Sequence, residues 1–167
     1  MSTEIPVRDI DIVVSKSDEE GNITYGNPIF VKLSGYDQGE LLGKPHSILR
    51  HPDMPKVIFE YLWDRIKKGE TVKAFVINKS KSGDFYRVFA VVKPAKNPDG
   101  SFRNYTSTRR TSNPKAWEIL DPLYKELREL EESEGMEASR KRLAEFLSGY
   151  GADLNGFSDV MEKLQKL

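Results

Sequence analysis

The sequence contains no cysteine and only two histidines among its 167 residues. The missing thiols exclude disulfide bonds, thiolate metal ligands and cysteine nucleophiles. Lysine and arginine balance aspartate and glutamate at 26 each, so bulk electrostatic binding to DNA or RNA is not expected. All apolar runs are shorter than the ~20 residues that a membrane-spanning helix needs. The N-terminus also lacks a signal-peptide profile. Together, these absences favour a cytoplasmic protein that does not insert directly into a membrane.

Motifs of several enzyme and metal sites are also missing. No HExxH motif, phosphate-binding glycine loop or nucleophile elbow occurs in the sequence. The two histidines, His46 and His51, have only Asp53 nearby as a third ligand. At their spacing, the two imidazoles reach one metal ion only if the chain adopts a special loop geometry. We therefore predict neither a metal site nor catalytic residues.

The first third of the chain predicts two strands followed by short helices. Residues 9–15 are β-branched and predict a strand, and residues 23–25 predict a second strand after a turn at Gly21. The stretch from Pro28 to Gly35 then has helical spacing, with a proline suited to a first turn and a glycine suited to a C-terminus.

The next part predicts one longer helix and a three-stranded meander. Apolar residues recur at helical spacing from residue 57 to 66, with Asp53 as the expected N-cap. Three extended stretches follow at residues 71–80, 85–95 and 101–111, separated by turns rich in glycine, aspartate and proline. Five antiparallel strands with inserted helices indicate the α+β class.

The composition changes near residue 112. Residues 113–167 have three helical patterns, the first with Asn113 as its expected N-cap. They contain eight basic and twelve acidic residues, while residues 1–112 have the opposite excess, which favours a weak attraction between the two parts. We therefore predict a domain over residues 1–112 and a C-terminal helical extension over residues 113–167.

Several residues stand out as candidates for a binding site. Asn78 lies inside a predicted strand, where asparagine is depleted, and a buried amide matches the donor and acceptor edge of a heteroaromatic ring. Trp63 lies on the predicted long helix, where it either belongs to the core or forms a wall for a planar ligand. The stretch Tyr105–Thr108 alternates small polar residues, which leaves room for a ligand over the sheet.

The segment PHSILRHPDMPK, residues 45–56, contains both histidines. On local physics alone, two readings are balanced. In one, Arg50 and His51 are solvated loop residues and Asp53 is a helix cap; in the other, the segment holds a cofactor. Asn27, just before a helical proline, is favoured as a cap.

The phrases NITYGNPIFVKLSGY, ELLGKPHSILRHPDMP and VINKSKSGDFYRV resemble PAS domains, and more narrowly the PAS sensors of the aerotaxis-receptor type. The resemblance covers about residues 10–125. It implies the PAS fold and a non-covalently bound flavin, usually FAD, held between the short helices and the sheet. Carried over by motif, the resemblance places these residues at the cofactor: Asn27, His46, Arg50, His51, Asp53, Trp63, Asn78 and Tyr86.

The expected roles follow from the shape of a flavin, which has a polar and an apolar ring edge. Asn78 is expected to hydrogen-bond the polar edge, Trp63 to wall the ring or to pack near the adenine, and Arg50 to neutralise the pyrophosphate. FMN remains an alternative to FAD. A haem ligated by His46 or His51 is another, and a PAS module without any cofactor is a third. Light-driven adduct chemistry of the kind found in related domains needs a cysteine, which this chain lacks.

The resemblance also implies a biological role. Such domains sense redox state or oxygen supply without being enzymes, and they signal to a separate chemotaxis-type protein, membrane-bound or cytoplasmic. The helices after residue 113 are then surfaces for that partner or for a homodimer, or they simply cover the open face of the sheet; these alternatives are weighed equally.

Overall fold

The computed structural model describes residues 2–167, and this part of the chain contains five strands and six α-helices. The strands form one antiparallel sheet in the order β2-β1-β5-β4-β3. They are β1 (Val13–Ser17), β2 (Ile23–Gly26), β3 (Val72–Lys79), β4 (Phe85–Lys96) and β5 (Phe102–Thr111). The helices are α1 (Pro28–Ser34), α2 (Gln38–Leu41), α3 (Lys56–Lys67), α4 (Pro114–Ser133), α5 (Met136–Ser148) and α6 (Phe157–Gln165). The predicted α+β class with a five-stranded antiparallel sheet is confirmed.

The first strand begins later than predicted. Residues 9–12 precede β1, because the Asp11 carboxylate accepts a hydrogen bond from the backbone N–H of Arg8 and closes a turn there. The ion pair between the same two side chains, at 2.9 Å, stabilises that turn.

Helix α1 begins and ends as the sequence predicts. The side-chain oxygen of Asn27 accepts hydrogen bonds from the backbone N–H groups of Phe30 and Val14, both at 3.1 Å, so one amide caps the helix and joins it to β1. Gly35 ends the helix with a φ of 73°, in the left-handed region that favours glycine.

The prediction that Asp53 caps α3 is wrong. The helix begins at Lys56, Pro55 occupies the N-cap position, and no side chain of the preceding loop caps it. Instead, the carboxylate of Glu131 on α4 accepts from the backbone N–H groups of Lys56 and Val57, at 2.8 and 3.0 Å. A carboxylate at this position satisfies two free donors and complements the helix dipole.

The two faces of the sheet have different covers. The inner face packs against α1 and α3, whereas α4 and α6 lie on the outer face. On the outer face, the ring of Phe75 contacts Trp117 edge to face at 5.6 Å, and the hydroxyl of Tyr124 donates to the Phe75 carbonyl at 2.7 Å. Among the alternative roles predicted for the C-terminal helices, covering the open face of the sheet is therefore observed.

Helix α6 also covers the edge strand β3. The hydroxyl of Ser158 accepts from the backbone N–H of Lys73 at 3.0 Å, and Lys73 pairs with Glu162 at 3.1 Å. Gly156 holds the N-cap position of α6, which has no side-chain cap. These contacts satisfy backbone donors that an exposed sheet edge would leave open to another chain.

Ion pairs also join the two parts of the chain; the first pair below has the sense that the composition predicts, and the second has the reverse sense. Arg87 on β4 pairs with Asp121 on α4 at 3.2 Å, and Arg140 on α5 donates to Glu60 on α3. Through residues 2–167, no helix combines the length and the apolar character needed to cross a membrane.

Candidate functional site

A cavity of about 330 Å³ lies between the inner face of the sheet and the segment that runs from the 3₁₀ turn at His46–Leu49 into α3. Its apolar walls come from strands and helix alike: Leu62, Ile66, Val76, Ala90 and Val92. Its volume is within the range of small-molecule sites, and a few polar groups interrupt the apolar lining.

The inner face leaves space because its residues beside the cavity are small. Ser15 on β1 lies directly opposite Ser107 on β5, and Val92 on β4 is the next partner of Ser107. The predicted alternation over Tyr105–Thr108 is present, with Tyr105 and Ser107 lining the cavity and the two threonines outside its lining. The short side chains allow a flat ligand to approach the sheet.

Trp63 forms one aromatic wall. Its ring meets Tyr105 edge to face, with 5.6 Å between centroids, and both side chains line the cavity. Gly21 lies against the same indole: a Cβ added there would be 2.8 Å from the Trp63 ring, and the φ of 85° also favours glycine. Trp63 is half-buried beside the cavity, as expected of a ring wall.

Asn78 lies on β3 and is 5% exposed, with its side chain in the cavity wall. The backbone of Arg50 forms an antiparallel bridge with Asn78, which fixes the loop before α3 against the edge strand. The amide has both donors and an acceptor in a low-dielectric site, where hydrogen bonds to a ligand are strong.

Arg50 lies at the opening of the cavity. It is exposed as a residue, and its guanidinium stacks on the Phe59 ring with 4.0 Å between Cζ and the ring centroid. Partial burial lowers its pKa from the usual value, and it remains a cation. Exposed Glu20 and Ser47 also line this opening.

His46 is joined to a residue that the sequence did not single out. Its Nε2 atom lies 2.8 Å from the Ser15 hydroxyl and 2.8 Å from Nη2 of Arg109 on β5. A guanidinium has only donors, so Nε2 must be an unprotonated acceptor. Burial, with the charge of Arg109, lowers the pKa of His46 to about 3, which agrees with a neutral imidazole.

The structure brings four of the eight predicted residues to the cavity: His46, Arg50, Trp63 and Asn78. Tyr86 lies behind the lining. It pairs with Asn78 across the strands and is fully buried, and its hydroxyl has no hydrogen-bond partner among residues 2–167. Burial raises the pKa of Tyr86.

The other three predicted residues lie outside the cavity. Asn27 caps α1, as described above. His51 packs against the Phe85 ring, and its Nδ1 accepts from the backbone N–H of Asp53 at 3.0 Å. The Asp53 side chain is 60% exposed, while its carbonyl accepts from Arg128 on α4. The His51 and Asp53 loop therefore contacts the C-terminal helices rather than the cavity.

Arg109, Ser15 and Tyr105 are cavity residues that the sequence did not single out as individual site residues. The sequence contains one indication that Arg109 is buried. It follows Tyr105 and Ser107 at the two-residue period of the inner face of the sheet. A charged residue at a buried strand position is unusual enough to indicate a function.

Ligation of a metal ion finds no support in the arrangement of side chains. Throughout the part of the chain that the structure describes, no three His, Asp or Glu residues form a group that could hold one. Ligation of a haem iron by His46 is disfavoured too, since its Nε2 is engaged by Ser15 and Arg109, and His51 lies outside the cavity.

Comparison with known sequences finds one family model and several relatives that are similar to this chain. The family model described as PAS fold matches residues 23–109. The chain is 39% identical over 122 residues to the aerotaxis receptor of Escherichia coli (strain K12). The aligned residues cover 73% of this chain and 24% of that protein. It is 28% identical over 104 residues to the nitrogen fixation regulatory protein of Klebsiella pneumoniae, over 62% of this chain and 21% of that protein. The chain thus spans about a quarter or less of these relatives.

Solved structures of light-oxygen-voltage domains are similar to the chain in fold. The light-state structure of the blue-light photoreceptor Aureochrome1 LOV matches with a TM-score of 0.57 at 19% identity, over 65% of this chain and 86% of that one. A light-oxygen-voltage domain studied with a flavin analogue matches with a TM-score of 0.58 at 22% identity, over 69% of this chain and 87% of that one. With the family-model match, this likeness confirms the predicted fold.

Proposed function

Because the chain belongs to the PAS fold family, we propose that it is a flavin-binding redox sensor similar to the aerotaxis receptor. The observation that carries the proposal is the cavity between sheet and α3, which combines aromatic and aliphatic walls with buried polar groups at one place. FAD is the proposed cofactor, and FMN is the alternative to be tested. Residues 1–112 are the proposed sensor domain.

The residues of the cavity support the proposal of a flavin. Arg109 lines the cavity, and its buried Nη1 atom has no hydrogen-bond partner within residues 2–167, so the wall contains a cation whose hydrogen bonding is incomplete. Asn78 would hold the polar edge of the ring and Trp63 would wall it. Arg50, at the opening, would hold the phosphates.

A bound flavin supplies reversible electron transfer coupled to proton uptake. The chain's own residues would report that change by hydrogen bonding. The Asn78 amide can present either its donors or its acceptor to a ligand. Its backbone bridge to Arg50 links the cavity to the loop that precedes α3.

That loop provides a route to the C-terminal helices. Arg128 donates to the carbonyl of Asp53, and Glu131 holds the first N–H groups of α3. A shift of the loop would therefore change contacts with α4. We propose that residues 113–167 transmit the signal to a separate chemotaxis-type signalling protein, which is cytoplasmic or membrane-bound. In this proposal the chain itself is in the cytoplasm, and a homodimer is one oligomeric state to be tested.

The decisive experiment is cofactor uptake. Purified protein is mixed with FAD, FMN or haemin, passed through a desalting column, and its absorbance spectrum is recorded. We expect a flavin spectrum with FAD retained in preference to FMN. A colourless protein after each addition would overturn the proposal in favour of a cofactor-free interaction module, and a Soret band would favour haem.

Asn78→Ala tests the site itself. Loss of one buried hydrogen bond to the ring is expected to weaken flavin binding about tenfold, equivalent to ~1.4 kcal/mol, as measured by fluorescence quenching on titration. Asn104→Ala is the matched control, because Asn104 is on β5 outside the cavity lining. Equal flavin affinity in the two variants would exclude Asn78 from the site.

A further inference from the structure

Arg109 carries a buried positive charge beside the cavity. It is 3% exposed, it lies on β5, and it contributes to the cavity lining. Among residues 2–167 no carboxylate pairs with it, and its Nη1 atom is buried without a hydrogen-bond partner. Burial lowers the pKa of Arg109 to about 10, so the side chain stays charged at neutral pH.

The contacts of Arg109 orient the guanidinium without cancelling its charge. Nη2 lies 2.8 Å from the Ser15 hydroxyl and 2.8 Å from Nε2 of neutral His46. The ring of Phe30 lies on another side, with 5.3 Å between Cζ and the ring centroid. These neighbours are all uncharged. Nη2 is therefore held in place, Nη1 is buried without a partner, and the positive charge of the group is left without a counter-charge.

A second polar atom without a partner lies on the same face of the sheet. The Tyr86 hydroxyl is buried and unbonded, and its side chain lies beside Asn78 in the strand register. A buried cation without a counter-charge is strongly destabilising, as is a buried donor without an acceptor. The Arg109 cation lines the cavity, and its position there indicates a ligand that brings acceptor atoms and negative charge.

We propose that the Arg109 guanidinium supplies the counter-charge for the reduced, anionic form of the flavin, an inference that rests on the proposed function. Uptake of two electrons and one proton gives the neutral oxidised ring one net negative charge. In the experiment below the electrons come from dithionite and the proton from water. A fixed cation in a low-dielectric wall stabilises that anion more than it stabilises the neutral ring, so Arg109 raises the potential at which the sensor changes state.

Substitutions at residue 109 separate the charge from the hydrogen bonds. Arg109→Gln keeps amide donors toward Ser15 and His46 and removes the charge, whereas Arg109→Lys keeps the charge. Arg110→Gln is the matched control, because Arg110 is the next residue of the same strand and is exposed. Two quantities are measured: the midpoint potential of bound flavin, by dithionite titration against reference dyes, and the unfolding midpoint of the flavin-free protein.

We expect Arg109→Gln to lose at least tenfold in its preference for reduced over oxidised flavin, which lowers the two-electron midpoint potential by about 30 mV. Arg109→Lys and Arg110→Gln should stay within that range of the wild type. Without flavin, Arg109→Gln should unfold at no lower denaturant concentration than the wild type, because an uncompensated buried charge has been removed.

The outcomes separate this inference from the proposed function. A wild-type chain that takes up no flavin overturns both. A wild-type chain that binds flavin, with the same potential in Arg109→Gln as in Arg110→Gln, overturns the role of Arg109 alone. If Arg109→Gln does not fold, Arg109→Met provides a second neutral variant. If neither variant folds, the charge of residue 109 is needed for folding of the flavin-free protein, and that result would also overturn the inference.

Discussion

At the scale of single residues, the cavity depends on groups held in unusual states of charge. His46 is neutral because burial and the charge of Arg109 lower the pKa of its imidazole, whose Nε2 atom contacts Arg109 and Ser15. Arg109 in turn keeps its charge while buried. The two side chains come from different elements: the cation disfavours protonation of the imidazole, and the neutral imidazole accepts a hydrogen bond from the cation.

The neutral state of His46 predicts a pH dependence of stability. Burial and Arg109 lower the pKa of His46 from 6.5 to about 3 in the folded chain. Between these values the unfolded chain binds a proton that the folded chain excludes, so stability is expected to fall as pH falls from 6.5 toward 3. The slope from this group is at most about 1.4 kcal/mol per pH unit.

Urea unfolding at a series of pH values from 7 to 4 measures this slope. His46→Gln should flatten it by close to one bound proton relative to the wild type, since the nearest charged groups, Arg109 and Arg50, do not titrate in this window. An unchanged slope in the variant would show that acid destabilises the protein through other groups.

At the scale of elements, the start of α3 depends on α4. Both carboxylate oxygens of Glu131 accept from the first turn of α3, and the Ser139 hydroxyl on α5 donates to one of them at 2.9 Å. One side chain therefore joins three helices. It lies next to the loop that forms part of the cavity, so the same contact is placed to link a ligand and the C-terminal helices.

Glu131→Gln tests this contact. Removing the negative charge from the N-terminus of α3 is expected to lower the free energy of unfolding by about 1 kcal/mol, because the helix dipole and two N–H groups lose a charged acceptor. Hydrogen exchange should quicken at Lys56 and Val57. Glu132→Gln is the matched control, since Glu132 is an exposed neighbour on α4. Equal stability of the two variants would remove the capping role of Glu131.

At the scale of the whole molecule, the C-terminal helices complete the core. The outer face of the sheet buries Phe75, Ile77 and Phe89 at 0%, 4% and 8% exposure, and α4 and α6 provide the cover. An uncovered apolar sheet face of this kind promotes association. Residues 113–167, predicted as a helical extension, are thus packed on the sheet in this structure.

A chain that ends at residue 112 is expected to lose this cover. It should elute as oligomers or aggregates in size-exclusion chromatography, and its urea unfolding should lose cooperativity, because the apolar side chains of the outer face become exposed. The full chain, run in parallel, provides the reference. A monomeric fragment that unfolds at the same urea concentration as the full chain would contradict this account of the core.

The sequence by itself determined the types and order of the elements, since helical and strand periodicity and turn residues are local signals. It also indicated His46, Arg50, Trp63 and Asn78, which the structure places at the cavity. Only the tertiary structure decided which distant groups meet. His46 and Arg109 are 63 residues apart, and Glu131 is 75 residues from the helix start that it caps. Such contacts have no local pattern, because they depend on how the sheet and the C-terminal helices pack around the cavity.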